Sequence, residues 1–154
     1  MATQQQSVVL DANILINLLN MNQLPILPEL KQYKFLTPNH VMVEVHRRSQ
    51  RLKLRKAIKA GWFEEFEITD MVEIELYAQY RTRFGSGESA CMAAAVTHGW
   101  IVASDERAVK RETSARLGPG NFLGMKDILE IAVKAKVLEQ ARFNELCQRF
   151  EFLS

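Results

Sequence analysis

Short apolar runs alternate along the chain with longer segments in which apolar residues recur every three or four positions. The runs predict strands and the segments predict helices. The predicted strands lie at 8–10, 35–36, 100–103 and 121–123, and 62–68 is either a strand or a connector. The predicted helices lie at 14–19, 39–48, 49–60, 71–83, 88–97, 106–117, 125–137 and 139–150. This alternation indicates one α/β domain over 1–154, built on a parallel sheet.

The pattern is clearest between residues 84 and 110. A loop at 85–87 leads into a helix that begins with Glu88. The apolar run 100–103 is typical of a parallel strand covered on both faces, and Asp105 follows it closely. One carboxylate therefore begins a helix and another follows the next strand. Both are expected at one edge of the sheet, where open α/β folds bind their ligands.

Two further acids share this arrangement. Asp11 directly follows the first predicted strand, and Glu44 lies on the apolar stripe of the predicted helix 39–48. A carboxylate on an apolar stripe costs free energy unless it is paired or binds a metal. Several carboxylates at one edge repel one another without a cation, and oxygen ligands favour Mg²⁺ or Mn²⁺. The sequence thus predicts a metal centre for phosphodiester hydrolysis, formed by Asp11, Glu44, Glu88 and Asp105.

Taken singly, three of these acids also have structural interpretations. Asp11 can be a turn residue at a strand end, and Asp105 can cap the next helix. Glu88 lies in a first helical turn, where the helix dipole favours an acid. Asn13 is the predicted cap of the helix 14–19. The three histidines are scattered and Cys91 lies among alanines, so structural roles are expected for them.

Composition narrows the class of protein. A length of 154 residues suits one domain with a substantial core. The chain is 47% hydrophobic and 25% charged, and its net charge of +2 does not by itself indicate nucleic-acid binding. Its two cysteines lack metal-ligand spacing, which favours a reduced, cytoplasmic setting. No membrane span is predicted, and residues 1–7 lack the features of a signal peptide.

Four motifs together resemble the PIN-domain family, the metal-dependent ribonuclease fold of VapC-type toxins in toxin–antitoxin pairs. They are VVLDANILI, VEVHR, GSGESACMAAAVTHGWIVASDERAVK and LGPGNFLGMKDILEIAVKAKVLE, and they cover nearly the whole chain. The family's acids fall on Asp11, Glu44, Glu88 and Asp105; the third is more often Asp in the family. Where the family often has Thr or Ser after a glycine, this chain has Met125.

The resemblance implies a three-layer α/β/α fold with a central parallel sheet of four to five short strands. It implies an endoribonuclease that cleaves single-stranded RNA through water activated by Mg²⁺ or Mn²⁺, leaving a 5′-phosphate and a 3′-hydroxyl. Asn13 and Ser104 are expected to orient the metal ligands. It also implies a homodimer and an antitoxin protein as partner. The residues offered for either contact are Ile16, Leu19, Met21 and Leu24, which can equally close the domain's own core.

A basic segment follows the helix that carries Glu44. Between Val45 and Glu64 there are seven lysines and arginines and no acid. Its buried side is expected to consist of Leu52, Leu54, Ala57 and Ile58. The residues predicted to contact an RNA backbone are Arg47, Arg48 and Arg51. A solvated helix face and a docking surface for an acidic partner are the alternatives.

Two other functions stay open on the sequence. The first is a phosphatase or phosphotransferase that uses Asp11 as nucleophile, although such enzymes have a second Asp where this chain has Asn13. The second is a PIN-like module without catalysis that binds RNA or a protein. The presence of all four acids argues against the second.

Overall fold

A computed structural model of the chain describes residues 4–154 and contains a five-stranded sheet. All strand pairs are parallel, in the order β3-β2-β1-β4-β5. The strands are β1 (Gln6–Leu10), β2 (Tyr33–Pro38), β3 (Glu64–Phe66), β4 (Ile101–Ala103) and β5 (Phe122–Leu123). The predicted parallel α/β/α fold is confirmed. Residues 1–3, on which the signal-peptide prediction partly rests, lie outside the described range.

Helices flank this sheet, because the central strands are apolar on both faces and must be covered on both. Val8, Val9, Leu10 and Val102 are completely buried. The helices are α1 (Ala12–Asn20), α2 (Asn39–Glu44), α3 (Arg48–Lys59), α4 (Met71–Tyr80), α5 (Ser86–His98), α6 (Arg107–Leu117), α7 (Met125–Lys134) and α8 (Gln140–Arg149). None of the helices within 4–154 is both long enough and apolar enough to cross a membrane.

The predicted helix 39–48 is shorter than expected. It ends at Glu44, and Val45 has an extended backbone with its side chain buried in the core. The chain begins a new helix only at Arg48. The break allows α2 and α3 each to pack against α1. Glu44 is therefore the last residue of its helix.

Helix α4 begins at Met71, the first residue of the predicted helix 71–83, and Asp70 caps it. The Asp70 carboxylate accepts a hydrogen bond from the Val72 N–H, and Glu73 closes a capping box. Val72, Leu76 and Tyr80 recur at helical spacing; Leu76 and Tyr80 are buried, whereas Val72 is 55% exposed. The buried stripe instead passes through Glu73, which pairs with Nε2 of His98 at 3.2 Å. The apolar pattern therefore identifies two of the three buried residues of α4, Leu76 and Tyr80, and misses Glu73.

Two of the residues offered for a partner contact are buried, and the buried side of the basic helix is narrower than predicted. A short 3₁₀ helix at Leu24–Glu29 places Leu24 in the core, and Met21 is buried as well. In α3, Leu54 and Ala57 form the buried side, whereas Leu52 is exposed. Met21 and Leu24 therefore close the domain's own core and offer no surface to a partner.

Candidate metal centre

The order of the strands reverses at β1: β2 and β3 are added on one side of it, and β4 and β5 on the other. In parallel sheets, ligands bind beyond the carboxyl ends of strands at such a point. Leu10 pairs with Ala103, so the next residues, Asp11 and Ser104, lie side by side. The Ser104 hydroxyl donates a hydrogen bond to Oδ2 of Asp11 at 2.9 Å. The ends of β1 and β4 thus form the base of the candidate site.

Asp11 is buried at this base, with 3% of its surface exposed. Its Oδ1 accepts a hydrogen bond from the Ala12 N–H at 2.8 Å, which makes Asp11 the N-cap of α1. The prediction that Asn13 caps this helix is therefore wrong. Asn13 lies in the first turn, and its Oδ1 accepts the Asp105 N–H at 3.2 Å. Its amide nitrogen lies 3.4 Å from the Ser104 hydroxyl, so Asn13 and Ser104 connect the two aspartates.

Glu44 reaches the site from the end of α2. Its Oε1 accepts the Gly87 N–H at 2.7 Å. A Cβ atom at Gly87 would lie only 2.7 Å from Oε2 of Glu44, so this approach requires glycine. The predicted loop at 85–87 is in fact largely the first turn of α5, which begins at Ser86.

Glu88 enters the site from the first turn of α5, where Oε1 accepts the Gly85 N–H at 3.1 Å. The bonds of Glu44 and Glu88 leave the second carboxylate oxygen of each without a hydrogen bond to residues 4–154. Each of these two acids therefore keeps an oxygen atom that can take a ligand.

The electrostatics show that these three acids act on one another. Burial is the main cause that raises the pKa of Asp11 to about 6. The Ala12 N–H and the Ser104 hydroxyl oppose this rise, while Glu88 and Glu44 add to it. Burial and the same three carboxylates raise the pKa of the Cys91 thiol, which is fully buried as expected of a core residue. None of the three forms an ion pair with any residue from 4 to 154.

Asp105 lies at the same edge but in other surroundings. Its Oδ1 accepts the Met125 N–H at 2.9 Å, at the start of α7. Burial is the main cause that raises its pKa, and Asp127 contributes to the rise. The structural interpretation of Asp105 as the cap of α6 is wrong. Its carboxylate turns toward α7, and Glu106 occupies the N-cap position of α6. Asp105 is thus linked to Asp11 through Asn13 and Ser104 rather than by direct charge repulsion.

Sequence reasoning missed Asp127. Its Oδ2 accepts the Gly124 N–H at 2.7 Å, in the first turn of α7. The signal was available, since an acid three residues after a glycine that precedes an apolar helix is typical of a helix start. Met125, found where a polar residue was expected, buries its side chain completely and serves the site through its backbone.

As they stand, no three acidic, histidine or cysteine side chains of the described chain lie close enough to hold one ion. Glu44, Glu88 and Asp105 each turn a carboxylate oxygen toward a backbone N–H instead. The donors are nevertheless all oxygen atoms, none of them paired with a cation among residues 4–154, and Mg²⁺ and Mn²⁺ prefer such donors. The residues therefore fit a hard divalent cation by the chemistry of their donor atoms.

The predicted RNA-binding arginines lie close in sequence to Glu44. Arg47 precedes α3, Arg48 begins it, and Arg51 lies one turn further on. All three are exposed, and within 4–154 none forms an ion pair. Arg55 on the same helix does pair, with Glu65. The start of α3 thus presents unneutralised positive charge.

The histidines take structural positions. His98 pairs with Glu73 and stacks on Trp100, with ring centroids 4.4 Å apart. His40 packs against the Tyr77 ring at 4.8 Å, and His46 is exposed. None of them forms a hydrogen bond with the four acids within the described residues.

The fold and the site define an α/β domain with a parallel sheet and acids at its carboxyl edge. A family model described as PIN domain matches residues 7–149, and the chain therefore belongs to the PIN-domain family. This confirms the resemblance noted in the sequence. PIN domains are generally nucleases, and those nucleases typically use divalent metals.

No curated protein sequence matches this chain. Among solved structures, the chain is similar to FitAcB from Neisseria gonorrhoeae, with 14% sequence identity and a TM-score of 0.40. The similarity covers 76% of this chain and 95% of that chain.

Substituting Gly87 tests whether Glu44 belongs to a metal centre. In Gly87→Ala, the new methyl group would displace the Glu44 carboxylate. We expect Mn²⁺ affinity to fall by about 10–100-fold. Folding should not suffer, because a flexible carboxylate can move and Ala is favoured over Gly in a helix by up to about 1 kcal/mol.

Calorimetric titration with Mn²⁺ and thermal melting measure these two effects. Gly120→Ala is the matched control, because a Cβ atom there meets no atom within 4 Å. Unchanged Mn²⁺ affinity in Gly87→Ala would mean that the contact with Gly87 does not position Glu44 for a metal.

The raised pKa of Asp11 predicts an unusual pH dependence of stability without metal. The folded pKa of about 6 exceeds the ordinary value of 3.8, so the folded state holds the proton more strongly between these values. The free energy of unfolding should therefore fall as pH rises from 4 to 6. Asp11→Asn removes this loss, and we expect it to be more stable than wild type at pH 7 by roughly 2–3 kcal/mol.

Urea denaturation between pH 4 and 8 in EDTA measures this difference, which should vanish near pH 4. Glu106→Gln, which neutralises an exposed acid beside the site, is the control. If Asp11→Asn is no more stable than wild type at any pH, burial of the Asp11 charge is not destabilising.

Proposed function

We propose that this protein is a Mg²⁺- or Mn²⁺-dependent endoribonuclease that cleaves single-stranded RNA. The observation that carries the proposal is the buried Asp11 carboxylate, which faces the charges of Glu44 and Glu88 with no cation beside it among residues 4–154. Such an arrangement is costly unless a cation binds. Membership of a family of nucleases supports a hydrolase of phosphodiester bonds.

Four acids would hold the metal in this proposal. Asp11 and Asp105 are the ligands from the strand ends, and Glu44 and Glu88 complete the set directly or through water. When bound, the cation supplies a Lewis acid that lowers the pKa of water and offsets negative charge on the phosphate. The acids themselves would fix the position of the cation.

Asn13 and Ser104 would act by orienting the ligands. The Ser104 hydroxyl donates to Asp11 and so cannot donate elsewhere; it also accepts the Glu106 N–H at 3.2 Å. Asn13 holds the backbone of Asp105. Hydrogen bonds behind the ligands reduce the number of orientations that they can adopt, which favours a single metal geometry.

The substrate path is proposed along the start of α3. Arg47, Arg48 and Arg51 lie just beyond Glu44, and their exposed charge can attract a phosphate backbone. A divalent metal acts at the phosphate and gives no preference for a base. Contacts to phosphate likewise carry no sequence information, so the arginines would strengthen binding without fixing the cleavage sequence.

Assembly as a homodimer and neutralisation by an antitoxin are further parts of the proposal, drawn from the sequence resemblance. Of the residues first considered for either contact, only Ile16 and Leu19 keep partial exposure, since Met21 and Leu24 are buried. A dimer would therefore need additional surface from elsewhere on the chain. Light scattering measures the oligomeric state.

The geometry does not favour the alternative phosphatase. A nucleophilic aspartate must reach the phosphorus of its substrate, whereas only 3% of the Asp11 surface is exposed. Asn13, where such enzymes have a second Asp, is engaged with Asp105. The alternative of a PIN-like module without catalysis is distinguished from the nuclease by a measurement of RNA cleavage.

The metal dependence is tested with purified protein and a single-stranded RNA. We expect cleavage with Mg²⁺ or Mn²⁺ and loss of cleavage in EDTA. Asp11→Asn should abolish cleavage while its circular dichroism stays that of wild type, because the fold does not need this charge. Glu106→Gln is the control and should cleave normally. Cleavage that persists in EDTA, or in Asp11→Asn, contradicts the proposed metal centre.

The substrate path is tested by replacing Arg47, Arg48 and Arg51 together with Ala. RNA binding should weaken across sequences, and the slope of log affinity against log salt should flatten by up to roughly one unit for each lost phosphate contact. The matched control replaces Lys53, Lys56 and Lys59 on the same helix, which removes equal charge farther along the chain from Glu44. A wild-type slope in the arginine variant would mean that the start of α3 is only a solvated face, and equal flattening in both variants would mean that RNA contact is not specific to the arginines.

A further inference from the structure

The carbonyl group of Leu10, directly before Asp11, lacks the partner that a regular sheet would give it. The Gln6 N–H donates to the Gln32 carbonyl at 3.0 Å, so even-numbered residues of β1 turn their backbone groups toward β2. With Val9 opposite Leu36, the Leu10 carbonyl would accept the N–H of residue 38. Residue 38 is Pro38, which has no N–H.

A side chain fills this gap. The Thr37 hydroxyl donates to the Leu10 carbonyl at 2.8 Å, and Thr37 is completely buried. The Cys91 thiol, also completely buried, lies 3.8 Å from the same oxygen as a weaker donor. Without these groups the carbonyl would be a buried, unpaired acceptor at the point where β1 delivers Asp11 to the site.

The two donors come from the elements that lead to the other acids. Thr37 lies at the end of β2, and the chain continues through Pro38 into α2, which ends at Glu44. Cys91 lies three residues after Glu88 on α5. One carbonyl oxygen therefore joins the three segments that carry Asp11, Glu44 and Glu88.

We propose that Thr37 is a positioning residue of the metal site. Its hydroxyl fixes the peptide between Leu10 and Asp11, and thereby the direction in which the Asp11 carboxylate points. This inference rests on the proposed metal centre for its functional consequence, but the local restraint on the backbone is a separate claim. Thr37 itself would touch neither the metal nor the RNA.

The experiment compares Thr37→Val, which removes the hydroxyl at nearly constant shape, with Thr37→Ser, which keeps it. Thr113→Val is the matched control, since Thr113 is a buried threonine whose hydroxyl donates to the Val109 carbonyl at 2.7 Å within α6. Mn²⁺ affinity of the full chain is measured by calorimetry without RNA. Hydrogen exchange is measured at the amides of Asp11 and Ala12.

We expect Thr37→Val to weaken Mn²⁺ binding by about 10–100-fold and to speed exchange at both amides. Thr37→Ser should restore both properties, and Thr113→Val should leave both near the wild-type values. If Thr37→Val does not fold, Thr37→Ala replaces it, because Ala removes the hydroxyl without placing a methyl group against the carbonyl.

Two results overturn the inference. One is a Thr37→Val protein with wild-type Mn²⁺ affinity, and the other is Thr37→Ser behaving like Thr37→Val. If wild type binds no Mn²⁺, the proposed function fails, and the exchange data then decide the positioning claim alone. Faster exchange in Thr37→Val that Thr37→Ser reverses supports it, and unchanged exchange contradicts it.

Discussion

A carboxylate buried beside other carboxylates is unstable, and the candidate site is arranged around that constraint. Asp11 has two neutral hydrogen-bond donors, Ala12 and Ser104, and two like charges, Glu44 and Glu88. The donors offset part of the cost of burial but do not neutralise the charge. The folded domain therefore keeps a region of negative potential at the carboxyl edge of its sheet, which favours a cation over any anionic ligand.

The same acids are held in place by the starts of helices. Oxygens of Asp11, Glu44 and Asp105 accept backbone N–H groups in the first turns of α1, α5 and α7, in that order. The N-terminus of a helix carries partial positive charge, so it stabilises a nearby carboxylate. This explains how the fold tolerates these carboxylates. It also explains why they are directed at backbone groups rather than at one another.

The ends of the predicted strands were enough to locate much of the candidate site. The hydrogen-bond partners of its residues could not be predicted from the sequence. Because parallel strands end at one edge, the positions of Asp11 and Asp105 after apolar runs were enough to bring them together. The helix cap was assigned to Asn13 because either residue can cap, and only the structure shows that Asp11 does so. The burial of Glu73 on α4 was not predictable, because it depends on Nε2 of His98 and the Asp70 N–H, which give its carboxylate partners.

The sequence predicted a boundary between two helices at 48/49, but the structure places the break earlier, at residues 45–47, and this affects how the site can work. Residues 39–60 contain neither proline nor glycine, the usual signs of a helix end. The extended backbone of Val45 nevertheless ends α2 and buries its own side chain in the core. Had one helix continued, the direction of Glu44 would have determined that of the arginines. Because there are two helices, the contact with Gly87 fixes the direction of the Glu44 carboxylate. The packing of Leu54 and Ala57 separately fixes the direction of the basic segment.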